Sequence, residues 1–376
     1  MESHAPSQSD AKEGVLTTYL EATDLVNLST NDEHGRIVVA TKSIKTGIRI
    51  IRERPVLVWK EDNWTEYLTK FKALPATEQS GVLDMYYFPL DAQQLQPLKY
   101  DVARSAGIVG VDKQLAIKLL SISMANSHEY FGSTDAVYEE VASFIRQNLR
   151  STGKQALFLY ASKVSHSCHP NTTYTSKTDD GKMEYKSVRE IKEGDMISFP
   201  YIGDLWETPT NLRRKALQES RSFFCKCKRC LRPDLLRFIK CKSCTGDCGV
   251  AVCTYDSLGT PSWTCENCNT VLPSSYCEKT EAVISAMIEQ TEMKMMMGGL
   301  QSLPLSEVTS VITKAEQMLS PLHFLLLRAR GLYVKLCASK AHDIEQNISI
   351  VPPHIRNHFL RFGNPIIDFR DNSFAI

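Results

Sequence analysis

No stretch of this 376-residue sequence approaches eighteen consecutive apolar residues, so a helical membrane span is not expected. The first thirteen residues are polar and partly acidic. They lack the apolar centre of a secretory signal and the arginine-rich pattern of a transit peptide. They read as a disordered lead-in, and the protein reads as intracellular, in the nucleus, the cytoplasm or both. No internal repeat is evident, which argues against a solenoid. An excess of one charge is missing too: the net charge is +1, so any electrostatic signal must be local. What remains is ordinary globular composition, 43% hydrophobic and 23% charged, enough for one large core or two smaller domains.

Cysteine, by contrast, is abundant and clustered. Eleven of the twelve lie between Cys168 and Cys277, and only Cys337 stands apart. In a reducing compartment such clusters hold metal more often than they form disulfides. Cys241 and Cys244 form one C-x-x-C pair, Cys265 and Cys268 a second, with twenty residues between the pairs. That is the spacing of a four-cysteine zinc ribbon, a closed structural site with no open position for chemistry. Cys248, Cys253 and Cys277 lie close enough to be alternative ligands, and Trp263 is placed to pack beneath the metal. Cys225, Cys227 and Cys230 supply three further thiolates and need a fourth. By spacing alone, Cys168, Cys241 and another later cysteine are equal choices.

The charge is uneven around these cysteines. Residues 211–242 carry eleven Lys and Arg against Glu219 and Asp234, a local balance of +9. Nucleic acid or an acidic protein tail would suit such a stretch. A solvated surface whose cations offset thiolate charge is the favoured reading.

Hydrophobic patterning gives an α+β chain. Residues 36–41 form a short apolar run, Lys45, Thr46 and Gly47 a turn, and 48–59 an alternating strand. From 62 to 149 the pattern is helical, with Val111, Leu115, Leu119 and Ile122 near the 3.6 period. Strands return at 184–188 and 196–201, on either side of a turn at Glu193, Gly194 and Asp195. Residues 278–340 are helical again, with Ser306 expected to cap one helix and Ser320 with Pro321 to start another. The methionines at 293–297 read as core filling.

Five motifs, in order, resemble those of SET-domain protein-lysine methyltransferases. Ser165, His166, Ser167, Cys168, His169, Pro170 and Asn171 resemble the Asn-His-Ser-Cys-x-Pro-Asn signature, with 156–162 similar to its lead-in. The segment 193–206, containing Tyr201, resembles the family's Gly-Glu-Glu-x-x-x-x-Tyr segment. Phe223, Phe224, Cys225, Cys227 and Cys230 resemble the post-SET zinc motif. Gly35 and Arg36 fall where the family has its Gly-x-Gly cofactor motif, and Asn126 with Ser127 resembles an upstream Asn-Ser segment. The SMYD-like group, whose catalytic domain is split by a helical insertion, is the nearest match. Three departures stand out: Ile37 replaces the second glycine, Ser165 replaces the first asparagine, and no MYND finger is found.

The resemblance implies a SET-domain β-fold split by a helical insertion, with a post-SET zinc site, a zinc ribbon and C-terminal helices. The expected divisions are a disordered 1–20, SET halves at 21–60 and 124–206 around an insertion at 61–123, a post-SET and ribbon segment at 207–277, helices at 278–345 and an irregular tail at 346–376. It implies S-adenosylmethionine as cofactor, held by His34, Gly35, Arg36, Asn126, Ser165, His166 (through its backbone) and Phe223. Phe199 and Tyr201 would line the substrate channel, with Tyr201 catalytic. It makes Cys168 the fourth ligand beside Cys225, Cys227 and Cys230, for two structural zinc ions in all. The partner implied is a protein with an accessible lysine. Ile37 and Ser165 motivate a second reading, a catalytically silent SET and zinc module that binds protein or nucleic acid.

Overall fold

A computed structural model of the chain describes residues 19–21, 23–32, 35–88, 98–130, 153–176, 178, 180–203, 208–244, 249–298 and 303–339. The expected irregular tail lies outside them, as does the lead-in up to residue 18. Tyr19 and Leu20, placed in the lead-in by sequence, belong instead to the fold: Leu20 bridges to Glu53, and the Tyr19 carbonyl accepts the Arg54 N–H at 3.0 Å. The described residues divide into two compact units, one holding those up to 203 with 213–229, the other 208–212 with 230–339.

The first unit opens with an antiparallel pair, β1 (Val26–Asn31) and β2 (Gly35–Ala40). The stretch expected as one strand is two, β3 (Arg49–Glu53) and β4 (Leu57–Lys60). Pro55 falls in the gap; it has no N–H for a ladder and restricts the residue before it. Four helices follow: α1 (Trp64–Ala73), α2 (Ala76–Leu83), α3 (Lys99–Val109) and α4 (Lys113–Asn126). Their ends are chemically set. The Asn63 side chain accepts the Glu66 N–H and that of Asp112 accepts from Gln114 and Leu115, while Gly110 closes α3 in the left-handed region at φ 67°. Leu119, Leu120 and Ile122 of α4 are buried in one core with Tyr67, Leu68 and Phe71 of α1. Each such side chain contributes about 1.5–3 kcal/mol by burial.

Beyond the helices come β5 (His128–Glu129), β6 (Lys154–Leu157), β7 (Ser165–His166), β8 (Thr172–Thr175), β9 (Met183–Ser187) and β10 (Ser198–Phe199). The early strands pair with these late ones. β3 joins β9 and β8 in one antiparallel sheet, and β4 joins β6 and β5 in another. The helices therefore interrupt the β-fold in sequence while its two halves build one core. β10, expected over 196–201, is confined to two residues because its partner β7 is equally short, and the two run parallel. Helix α5 (Thr210–Arg221) and the short α6 (Lys228–Leu231) follow.

In the second unit β11 (Ile239–Lys240), β12 (Val250–Tyr255), β13 (Pro261–Cys265) and β14 (Val271–Leu272) form an antiparallel sheet in chain order. Trp263 is fully buried beside Cys241 and Cys265, and its indole N–H donates to the Arg237 carbonyl at 2.9 Å. Among the described residues three helices follow: α7 (Ser274–Gly298), α8 (Leu305–Met318) and α9 (Phe324–Ser339). Two helix starts differ from expectation. Pro304 rather than Ser306 caps α8, and α9 begins at Phe324, after a turn in which the His323 N–H returns to the Ser320 carbonyl. Of the methionines expected in the core, Met295 is buried, whereas Met293, Met296 and Met297 are exposed. Arg237, buried, pairs with Glu281 at 2.5 Å and stacks over Trp263 at 4.8 Å. Arg213 and Arg214, in the first unit, are buried too, so part of the basic stretch is internal structure rather than open surface. No helix among the described residues is long and apolar enough to cross a membrane.

Candidate functional site

The site grows from the parallel pair β7–β10, which sets Ser165 against Ser198 and His166 against Phe199. Two residue pairs are a weak ladder, and Asn171 supplements it. Its Oδ1 accepts the Ser198 N–H at 2.8 Å, and its Nδ2 donates to the Met196 carbonyl at 2.9 Å. Asn171 thus secures the crossing of the two segments.

Tyr201 follows directly and is held at both ends. Its backbone N–H donates to His166 Nδ1 at 3.0 Å, and its hydroxyl donates to the Val164 carbonyl at 2.8 Å. Burial pushes the phenol up to about 12, so it stays a neutral donor at ordinary pH. The rings of Phe199, His166 and Phe223 stand 4.9, 5.2 and 6.3 Å from it. The structure thus brings together Phe199, Tyr201, His166 and Phe223.

Further groups converge here that sequence reading missed. Tyr174 and Tyr185 face each other in the β8–β9 register, and each ring lies 5.3 Å from Phe199. Tyr185 is fully buried and its hydroxyl has no hydrogen-bond partner. His128 packs on Tyr174 and Phe199, and burial lowers its imidazole to about 4, which keeps it neutral. The Arg221 guanidinium lies 5.6 Å from the Tyr201 ring centroid. Its Nη1 donates to the Met124 carbonyl, its Nε has no partner, and burial lowers its pKa. The strand alternation of tyrosines was the available signal for Tyr174 and Tyr185; nothing local marked Arg221.

The remaining residues implied as cofactor ligands are more dispersed. His34 lies outside the described residues. Gly35 adopts φ 67°, a left-handed conformation that side chains strain to reach. Arg36 pairs with Asp84 through both carboxylate and carbonyl, and the buried Lys163 donates to the same carbonyl at 3.2 Å. Burial lowers Lys163 to about 8. Asn126 directs Nδ2 to the Tyr86 and Ile122 carbonyls, at 2.7 and 2.8 Å, leaving only its oxygen for a ligand. Ser165 and Ile37 are buried. Glu53 is buried as well, its two oxygens accepting the Tyr160 and Ala161 N–H groups; burial nonetheless raises it to about 7.

For S-adenosylmethionine, an aromatic enclosure suits a sulfonium or ammonium cation through ring faces. The Tyr185 hydroxyl and Arg221 Nε, without a hydrogen-bond partner among the described residues, are polar atoms that a ligand could meet.

Both cysteine sets form four-sulfur clusters, Cys168 with Cys225, Cys227 and Cys230, and Cys241 with Cys244, Cys265 and Cys268, each with donor atoms within 4.8 Å of one another. Cys230 lies on α6, three positions after Cys227, so the chain itself places it. Sulfurs 2.3 Å from a tetrahedral zinc stand about 3.8 Å apart. The observed separations are 3.9 Å for Cys168–Cys225, 3.7 Å for Cys241–Cys268 and 3.5 Å for Cys244–Cys265, which fit. Cys253 and Cys277, alternative ligands by spacing, are buried core residues outside both clusters; Cys248 lies outside the described residues.

Among known proteins, the chain is 22% identical to the SET domain-containing protein SmydA-8, isoform B, of Drosophila melanogaster, over 65% of this chain and 67% of that one. It is 28% identical to the protein-lysine N-trimethyltransferase SMYD5 of Homo sapiens, over 26% of this chain and 23% of that one. A SET domain-containing protein of Acanthamoeba polyphaga mimivirus is 26% identical over 32% of this chain and 46% of its own length. The chain thus spans less than half of the relatives it matches first. A solved structure of the SET domain of LSMT bound to lysine and AdoHcy aligns over 98% of both chains, at 12% identity and a TM-score of 0.38, too slight a likeness to argue from. The family model of the SET domain matches residues 35–202, which take in β2, the helical interruption, the β7–β10 crossing and Tyr201, and this segment of the chain is a SET domain.

Proposed function

We propose that the chain transfers a methyl group from S-adenosylmethionine to the side-chain amine of a lysine on a protein substrate. The observation that carries this is Tyr201, a neutral phenol fixed at its backbone and its hydroxyl and set among Phe199, His166 and Phe223. The name of the human relative, a protein-lysine N-trimethyltransferase, supports the same chemistry.

When bound, the cofactor supplies a sulfonium methyl; the lysine nitrogen's lone pair forms the new C–N bond, the C–S pair stays on sulfur, and the product ammonium gives its proton to solvent. The protein's task is positioning and exclusion of water, which can contribute several kcal/mol to the barrier. Tyr201 Oη, its hydrogen committed to Val164, has lone pairs left to accept from an amine N–H and so aim its nitrogen. The surrounding rings exclude water and disfavour the protonated form of the amine. Gly35, Arg36 and the 165–166 backbone would hold the cofactor's methionine end, with Phe223 over it. Zinc in the two cysteine clusters would serve structure alone, since four thiolates leave no open position.

The test is calorimetric titration of the zinc-loaded chain with S-adenosylmethionine, then transfer of labelled methyl to protein arrays. Absence of both binding and transfer would overturn the proposal. One observation favours the second reading, a silent SET module: Arg221 places a fixed positive charge beside Tyr201, where a cationic side chain would be repelled. Cofactor-free behaviour together with tight capture of a protein would favour that reading.

A further inference from the structure

His166 touches two parts of the molecule that have so far been described separately. On one side the Tyr201 backbone N–H donates to its Nδ1 at 3.0 Å. On the other its Nε2 lies 3.3 Å from the Cys168 sulfur. The roles of the two ring nitrogens follow from chemistry. A backbone N–H can only donate, so Nδ1 must carry a lone pair; a neutral imidazole then has its hydrogen on Nε2. That hydrogen points to Cys168, which as a metal-bound thiolate is an acceptor.

The ring has little room to choose otherwise. It is buried on β7, with the Tyr201 ring 5.2 Å and the Phe223 ring 5.8 Å from it. Phe223 lies two residues before Cys225, so both segments that feed the first cysteine cluster also bound the imidazole. Rotation of the ring would break both hydrogen bonds together.

We propose that His166 is a positioning residue that couples occupancy of the Cys168, Cys225, Cys227 and Cys230 metal site to the placement of Tyr201. With metal bound, the thiolate of Cys168 holds the Nε2 hydrogen, and the imidazole so oriented holds the Tyr201 peptide. Without metal, nothing draws the Cys168 sulfur into the cluster, and the imidazole loses the contact that sets its angle to the Tyr201 peptide. The functional weight of this link rests on the catalytic role proposed for Tyr201; the link itself does not.

The experiment uses the full zinc-loaded chain labelled with 3-fluorotyrosine. The fluorine resonance of residue 201 is assigned by its loss in Tyr201→Phe. Replacing zinc by the larger cadmium ion should move this resonance in the parent protein and leave it in place in His166→Phe, which keeps a ring but has neither nitrogen. Zinc affinity of the site, measured by chelator competition, should fall about tenfold or more in the variant, as for other groups that hydrogen-bond a metal ligand. If His166→Phe does not fold, His166→Asn serves, since its shorter amide can accept the Tyr201 N–H but has no atom at the Nε2 position to meet Cys168. A resonance that ignores the metal in the parent, or that follows it equally in the variant, would overturn the coupling. Calorimetry with S-adenosylmethionine on the same samples separates the two proposals: a metal-sensitive Tyr201 in a chain that binds no cofactor retains the coupling and refutes methyl transfer.

Discussion

The hydroxyl of Tyr201 donates to the carbonyl of Val164, 2.8 Å away, two residues before His166. The phenol is therefore already oriented with no substrate present. Tyr201→Phe removes this bond and little volume, so the fold should survive with a loss of about 1 kcal/mol. Transfer should fall while cofactor affinity changes little, as expected for an interaction used mainly in the transition state. Calorimetry and single-turnover transfer on one proven substrate check it; an unchanged rate and unchanged number of methyls added removes Tyr201 from the reaction.

Arg221 makes a prediction with a sign. A guanidinium 5.6 Å from the Tyr201 ring disfavours protonation of any amine bound there. In Arg221→Met that influence is gone, the bound amine holds its proton to higher pH, and the acidic limb of the pH–rate profile should move upward. A profile superimposable on the parent's would show that Arg221 does not face the acceptor.

Glu53 makes a prediction about stability. Burial raises its folded value from 4.5 to about 7. Between those values the native state binds more protons than the unfolded chain, so stability falls as pH rises through that window, by about 1 kcal/mol per pH unit at most. Glu53→Gln cannot ionise. Its absolute stability should drop, since one amide nitrogen now faces a backbone N–H, but its decline between pH 5 and 7 should be shallower than the parent's. Denaturant unfolding of both proteins at constant zinc measures the difference, and parallel curves would contradict the assignment.

For the metal, analysis of the folded chain should return two zinc ions, one per cluster. Gly249 offers a selective lesion: a Cβ there would lie 2.2 Å from the Cys244 sulfur. Gly249→Ala should lower the content towards one ion while the Cys168 cluster keeps its own. Retention of both would mean that the Cys244 knuckle gives way to the added methyl, whereas fewer than two ions in the parent chain would remove one cluster as a metal site.

The cysteine clusters were legible because a metal imposes its own spacing on the chain, whatever the rest of the fold does. Tyr201 was legible through its motif, and the interrupted β-fold through the order of the motifs. The companions of Tyr201 were not. Tyr174 meets Tyr185 through strand register, His128 reaches Phe199 from a different sheet, and Arg221 arrives from a helix that the basic composition of its segment concealed. Asn126 shows the converse: its motif suggested a ligand contact, yet its amide hydrogens are used on Tyr86 and Ile122, partners that no local pattern names.

The pairing of β3 with β9 sets an order on synthesis. Glu53 meets Met183 in that register, and Leu57 meets Leu157 in the neighbouring sheet. A chain emerging from the ribosome at about 5–20 residues per second makes its first apolar strands roughly ten seconds before their partners exist. Through that interval the α1–α4 helices have local contacts to form, while β3 and β4 wait with open edges. Contacts of such long range slow folding and leave those edges open to other chains. The interrupted domain is in this sense a late closure: β9 and β6 complete sheets that β3 and β4 began.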